Sequence, residues 1–279
     1  MKAIFSLSVN KKPLLYSVIV FILVLILTQY LTRLRYLINR DNEHNEVLSE
    51  VSAVKDRLKT TLSYNLSATK TLAYIIENYG VPKDFDGVAR EILNANKNVD
   101  ALELTEKGVI THVYPLKENE SVIGYDILKD PLTNKEAYKA IEKNELFFAG
   151  PFKLKQGGIG IVGRLPVFTG KDFFGFSAVI IKLPTLIRAL GIDTLQNSRF
   201  MYQLSKVNPN TNKEEFFLPN TPRFKKDNFV SLNIADGEWK LCVVKRNEAG
   251  IWYNILFSIL GIVLINFSIF IAVFLFRLI

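Results

Sequence analysis

The chain has 279 residues, with 35 Lys and Arg against 27 Asp and Glu, a formal net charge of +8 and 49% hydrophobic residues. That length admits one large or two small folded units. A single cysteine, Cys242, excludes an internal disulfide and a cysteine-built zinc site, and the two histidines, His44 and His112, stand far apart.

The first element is an apolar run, Pro13 to Leu31 (PLLYSVIVFILVLILTQYL), without a charge. About 20 such residues cross the roughly 30 Å hydrocarbon layer as a helix. Lys2, Lys11 and Lys12 precede it and favour a cytoplasmic N-terminus, although Arg33, Arg35 and Arg40 follow it. The run is longer than the core of a secretory signal and no A-x-A site follows. A second apolar run, Ile251 to Phe276, opens with Trp252 and Tyr253, as at an interfacial aromatic belt, and is followed by Arg277. Two spans predict that both termini face the cytoplasm and that the intervening chain lies outside a bacterial inner membrane. The chain stops at Phe276-Arg277-Leu278-Ile279, so a fragment of a larger receptor, or a protein with a separate partner, is expected.

After the first span, Val47, Val51, Val54 and Leu58 recur at spacings of four, three and four, and Leu62, Leu66, Leu72 and Ile76 extend the series. This seam predicts one helix to about Asn78, stopped by Gly80 and Pro82. Its polar start, Asn39 to Glu46, predicts a stalk beside a second copy; a core helix of a globular domain is the alternative. A short helix with Val88, Ile92 and Leu93 comes next. The period then changes to that of a hairpin, ALEL and VITHVYPL, turning at Glu106-Lys107-Gly108. A helix follows, with Asp130 as its cap, Pro131 in its first turn, Ala137 and Ile141 on its apolar side and Asn144 as its stop. Three strands, ELFFAGPFKL, GIGIVGRLPVF and DFFGFSAVIIKL, precede a short helix ended by Gly191. The remainder reads as a strand with a polar loop at Asn208 to Asn212, then a hairpin across Asp236-Gly237 whose second strand alternates Trp239, Leu241 and Val243 against Lys240, Cys242 and Val244.

Gly158, Gly160 and Gly163 spell a G-x-G-x-x-G. A dinucleotide fingerprint needs a helix after its glycines. Here Arg164-Leu165-Pro166-Val167-Phe168 continues a strand, which excludes that use. Gly157 and Gly158 are expected to turn a hairpin, and Gly160 and Gly163 to leave a strand face open to another backbone or a ligand.

No nucleophile has a base beside it, no cluster has metal-ligand spacing, and the Lys and Arg residues form no basic stripe. Catalysis, a metal or other cofactor, and nucleic acid are therefore not expected.

The segments GVITHVYPLKENESVIGYDILKDP, AIEKNELFFAGPFKLKQGGIGIVGRLPVF and DFFGFSAVIIKL together resemble the CHASE domain, the extracellular sensor of bacterial histidine kinases and diguanylate cyclases and of plant cytokinin receptors. The resemblance covers roughly Gly80 to Leu190. It implies an α+β fold: a long N-terminal stalk helix, two PAS-like subdomains in tandem, membrane-distal and membrane-proximal, two transmembrane helices and a homodimer through the stalk. The layout implied is a cytoplasmic N-terminus (1–12), first span (13–32), stalk (33–79), distal subdomain (80–183), proximal subdomain (184–250), second span (251–276) and cytoplasmic end (277–279). The resemblance implies a small-molecule ligand in the distal subdomain. Asp126 occupies the place of the aspartate that holds the cytokinin adenine, and Phe148, Gly158, Gly160 and Phe174 match pocket-lining positions, Phe148 being larger than its counterpart in the cytokinin receptors. A kinase or cyclase output, in the same gene or separate, is implied as partner.

Beside that set, the residues themselves nominate Tyr114 and Tyr125 as hydroxyl donors and Arg164 as a contact for an anion, with an ion pair at the surface the expected role of Arg164. His112 reads as a satisfied strand histidine and Cys242 as an inert thiol. The rival functions are a module that binds another protein and, more remotely, a membrane-bound enzyme.

Overall fold

The computed structural model describes residues 11–192, 199–209, 212–218, 230–234, 238–245 and 249–275. The chain divides into two compact units, residues 1–46 with 245–279, and residues 47–244. The turn expected at Asp236-Gly237, the basic Lys2 and the flank Arg277 lie outside the described residues, as do the side chains of Trp252 and Tyr253.

One helix, α1 (Lys11–Tyr79), runs through both units. In the first unit its N-terminal part presents apolar side chains outward, with Leu23 60% and Ile26 58% exposed. Among the described residues α1 is the one helix long and apolar enough to cross a membrane. The second expected span is also a helix, α5 (Ala249–Leu275), but its described apolar stretch, Ser258–Ile271, is shorter. Near the end of this part of α1, Lys245 pairs with Glu43 at 3.3 Å and Glu46 at 3.0 Å.

The second unit holds α2 (Phe85–Ala95), β1 (Ala101–Glu106), β2 (Val109–Tyr114), a single 3-10 turn (Glu120–Val122), α3 (Asn134–Lys143), β3 (Phe147–Lys153), β4 (Ile159–Thr169), β5 (Asp172–Lys182), α4 (Leu183–Leu190), β6 (Phe200–Val207), β7 (Glu214–Phe216), β8 (Val230–Ile234) and β9 (Trp239–Lys245). Their strands make a five-stranded sheet in the order β2-β1-β5-β4-β3 and a four-stranded sheet in the order β7-β6-β9-β8. Every pair in the larger sheet is antiparallel.

The seam of α1 is buried, but against its own chain. Val47, Val51, Val54, Leu58 and Leu62 share a core with Phe148, Ile161 and Ile181 of the larger sheet, Leu186 and Leu190 of α4, and Leu204, Trp239, Leu241 and Val243 of the smaller one. Further along, Leu72 and Ile76 pack with Phe85, Ala89 and Ile92 of α2 and with Leu102, Leu104, Val167 and Val179. From Val47 onward the core-helix alternative therefore describes α1, because each sheet has an apolar face that must be covered. The opposite face of the larger sheet packs Ala101, Val162, Phe176, Ala178 and Ile180 under Ala137 and Ala140 of α3.

The stops act as their chemistry requires. Asn144 closes α3 and Gly191 closes α4, both in the left-handed conformation. The start of α3 lies later than expected. Thr133 is its N-cap, and Asp130 instead closes the preceding turn through Leu132 N–H at 2.8 Å.

Leu58 is fully buried in the core that α1 shares with both sheets. Leu58→Ala should lower stability by about 2–5 kcal/mol in denaturant unfolding, whereas Lys59→Ala on the exposed side of the same helix should change it by less than about 0.5 kcal/mol.

Candidate functional site

The α3 face of the larger sheet carries charges in its interior. Glu103 on β1 sits opposite Ala178 on β5, Ala178 sits opposite Arg164 on β4, and Arg164 sits opposite Phe147 on β3. Side chains directly across neighbouring strands share a face, so Glu103 and Arg164 lie in one row, separated only by the small Ala178. Glu103 is 5% and Arg164 4% exposed.

The Arg164 guanidinium lies 5.9 Å from the Phe152 ring, and its Nη1 has no hydrogen-bond partner among the described residues. Burial lowers its pKa, while the charges of Glu136, then Glu103 and Tyr125, oppose that effect without pairing directly. Burial pushes the Glu103 carboxyl up to about 7, against the opposing charge of Arg164. Leaving a buried donor unsatisfied costs about 1–3 kcal/mol, and more for a charged one. A carboxylate or another planar anion would satisfy such a guanidinium through paired N–H donors.

Tyr125 is partly buried against the same cluster. Its hydroxyl donates a short bond to Asp130, which also raises its pKa to about 12 together with burial, the larger cause. Lys155, from the β3–β4 turn, places its ammonium 4.6 Å above the Tyr125 ring. In the same turn the amide nitrogen of Gln156 is buried and has no hydrogen-bond partner among the described residues. Glu136, buried on α3, accepts from Gly150 N–H at 3.1 Å and pairs with Lys206 of β6.

The residues expected to form the site do not come together. Asp126 caps its own turn: Oδ1 accepts from Leu128 N–H at 3.1 Å and Lys129 N–H at 3.2 Å, and Oδ2 pairs with Lys129 Nζ at 2.9 Å. Those bonds, the Lys129 side chain first, hold its carboxyl below the usual range. Phe148 faces α1 and the smaller sheet, 6.2 Å from the Trp239 ring. Tyr114 and Phe174 pack in the cluster beside α2, where the Tyr114 hydroxyl accepts from Arg90 at 3.1 Å. Gly158 belongs to the β3–β4 turn, Leu154 N–H donating to its carbonyl.

Gly160 and Gly163 do not open one face, because three residues apart in a strand they face opposite ways. A Cβ at Gly160 would meet the Ile181 backbone carbonyl at 2.7 Å, the close backbone approach expected there, whereas one at Gly163 would meet the Phe148 side chain at 2.7 Å. His112 is a packed strand histidine, 5.0 Å from the Phe85 ring, and burial raises the pKa of the Cys242 thiol.

The surface pairing expected of Arg164 is likewise replaced by an interior one-sided placement. Glu103, Glu136 and Lys206 were not nominated by the sequence. The signal for Glu103 is the lone carboxylate in Ala101-Leu102-Glu103-Leu104, an otherwise apolar strand. Among the described residues no three His, Cys, Asp or Glu side chains are placed to hold a metal ion.

The match to known families falls on this region. Residues 80–217 match the CHASE domain family. The chain carries a CHASE domain. Solved structures that share its fold include the extracellular domain of a histidine kinase and an extracellular ligand-binding receptor. No curated protein is similar in sequence to the chain.

Among solved structures, the extracellular domain of the putative histidine kinase soHK1S-Z6 matches with TM-score 0.57 and 15% identity, over 78% of this chain and 99% of that one. An extracellular ligand-binding receptor from Desulfohalobium retbaense DSM5692 matches with TM-score 0.55 and 14% identity, over 72% of this chain but 40% of the receptor. The ligand-binding domain of the Pseudomonas aeruginosa PAO1 amino acid chemoreceptor PctB, solved with L-Arg, matches with TM-score 0.53 and 15% identity, over 75% and 97%. At these identities the likeness is one of fold, a dCache-like pair of PAS-like sheets beside a long helix.

Within the CHASE domain, Glu103 gives the charged row a pH dependence. The folded state holds the Glu103 proton up to about pH 7, whereas an unfolded carboxyl releases it near 4.5. The folded state therefore binds more protons between those values, and its stability falls as pH rises through that window. Glu103→Gln should leave stability near that of the wild type at pH 4.5. At pH 8 it should raise it, by on the order of 3 kcal/mol if the whole shift is realised, as thermal melts across that range would show.

Proposed function

We propose that the chain is a two-pass sensor module of the bacterial inner membrane. Its CHASE domain lies outside the cytoplasm and binds a small molecule through an anionic group at Arg164. The observation that supports this reading is the buried Arg164 Nη1 without a partner, in a row that also holds Glu103. A ligand with both a carboxylate and an ammonium group would suit Arg164 and Glu103 together, and the amino acid named with PctB is of that kind. The exposed apolar stretch of α1 supports one membrane span, and the apolar α5 supports the second.

Signal leaves through β9, which ends at Lys245, four residues before α5 begins. A displacement of α5 would then bias a kinase or cyclase in the cytoplasm, carried by the same gene or a separate one. The homodimer belongs to this reading with a changed surface. The α1 seam is occupied, and the exposed Tyr64, Ser67, Thr71 and Tyr74, at spacings of three and four, are the residues through which two copies would meet.

The test uses the full chain in lipid nanodiscs, melted with each of the twenty L-amino acids and with acetate, succinate and citrate. At least one should raise the melting temperature, and a ligand at about 100 times its Kd adds roughly 2.7 kcal/mol. Arg164→Gln should abolish that shift, and the melting temperature of the variant without ligand checks that it stays folded. Asp126→Ala should keep the shift, because the Asp126 carboxylate is engaged by its own turn. A hit that survives Arg164→Gln, or no hit at all, would overturn the site.

A further inference from the structure

Three side chains of α3 reach the smaller sheet. Lys135 Nζ donates to Pro209 O at 3.0 Å, Lys139 pairs with Glu238 at 2.8 Å, and Glu136 pairs with Lys206. The Lys139–Glu238 pair is exposed, whereas Glu136 and Lys206 are each 5% exposed.

Glu136 differs from its neighbours in a second respect. It also attracts Arg164 without bonding to it. Its other oxygen holds Gly150 N–H at 3.1 Å, and Gly150 O accepts from Trp239 Nε1 at 2.8 Å. A single carboxylate thus interacts with the cation of the interior row, the cation of β6 and the peptide that bonds to β9. Lys206 lies 5.3 Å from the Phe147 ring, and Phe147 is the strand neighbour of Arg164.

We propose that Glu136 is a shared carboxylate that relays occupancy of the anion site at Arg164 to the smaller sheet, through Lys206 and through Gly150 to Trp239. The inference rests on the reading of Arg164 as the ligand's anion contact. With the site empty, Arg164 and Lys206 both attract Glu136. An anion on Arg164 cancels the first attraction and adds repulsion, so Glu136 is driven toward Lys206 and Gly150. Coupling of this kind is reciprocal: whatever anion binding does to the Glu136–Lys206 pair, changing that pair must do to anion binding. The charges give opposite signs for the two partners. Removing the charge of Glu136 frees Arg164 for the anion. Removing Lys206 leaves Glu136 to compete for Arg164.

The full chain in nanodiscs is titrated with sodium acetate, and the Trp239 indole N–H is followed by nitrogen-15 NMR, assigned with Trp252→Phe. Acetate should shift that resonance in the wild type and not in Arg164→Gln. Glu136→Gln should tighten acetate by roughly 5- to 150-fold and uncouple the Trp239 signal from it. Lys206→Met should weaken acetate by a comparable factor. The double variant Glu136→Gln/Lys206→Met removes both partners of the buried pair together, so it should fold even where Lys206→Met alone does not. It should bind acetate at least as tightly as the wild type. A purely structural pair would make both single variants weaken binding, and that outcome, or a Trp239 response that persists in Glu136→Gln, overturns the relay while leaving the anion site standing. Absence of any Arg164-dependent response in the wild type overturns the anion site, and the relay with it.

Discussion

A sheet with one apolar face must bury it, and in residues 47–244 both sheets do so against the same helix. The apolar positions of α1 from Val47 to Leu62 are common to the two sheets, and those from Ala68 to Ile76 serve the larger sheet and α2. This arrangement decides which surfaces remain for function. The α1 side of the larger sheet is fully engaged. The α3 side is covered by a ten-residue helix, one 3-10 turn, the segment carrying Tyr125, Ile127 and Leu128, and the β3–β4 turn. The interior polar row lies on that side.

The sequence reading recovered what local chemistry dictates. The helix ends at Asn144 and Gly191 follow from their tolerance of the left-handed conformation, and Trp239, Leu241 and Val243 fall on the core face of β9 as their alternation requires. What it missed concerns long-range pairing. Strand parity cannot be fixed without a partner, and a shift of one residue exchanges the two faces. Phe147 and Phe173 line the α3 face, whereas their neighbours Phe148 and Phe174, nominated by resemblance, face the other way. A bulge between Leu104 and Thr105 works in the same manner on β2. It puts Ile110 in the α3-side core and His112 against Phe85, although simple alternation sets them on one face.

The charged residues were illegible for a related reason. Glu103, Glu136, Arg164 and Lys206 are spread over 104 positions from first to last and belong to four elements. Apart from Glu103, alone in an apolar strand, their local sequence does not separate a buried charge from an exposed one. Asp126 shows the converse. Its position matched a family pattern, yet the local bonds of an aspartate to its own turn account for its carboxylate.

Four interior charges are a poor way to stabilise a small domain. Moving each from water costs several kcal/mol, and of the four only Glu136 and Lys206 are directly paired. An apolar row would pack the same face with less opposition. The retained cost has a use if the empty and occupied states must differ in energy. On the proposed reading, a buried guanidinium without an acceptor among the described residues would make the unliganded state the less stable one, by about 1–3 kcal/mol. The coupling needed for regulation is also about 1–3 kcal/mol. One unsatisfied residue in the interior therefore supplies a difference of the right size. Its neighbour Glu136 pairs with Lys206 of the second sheet.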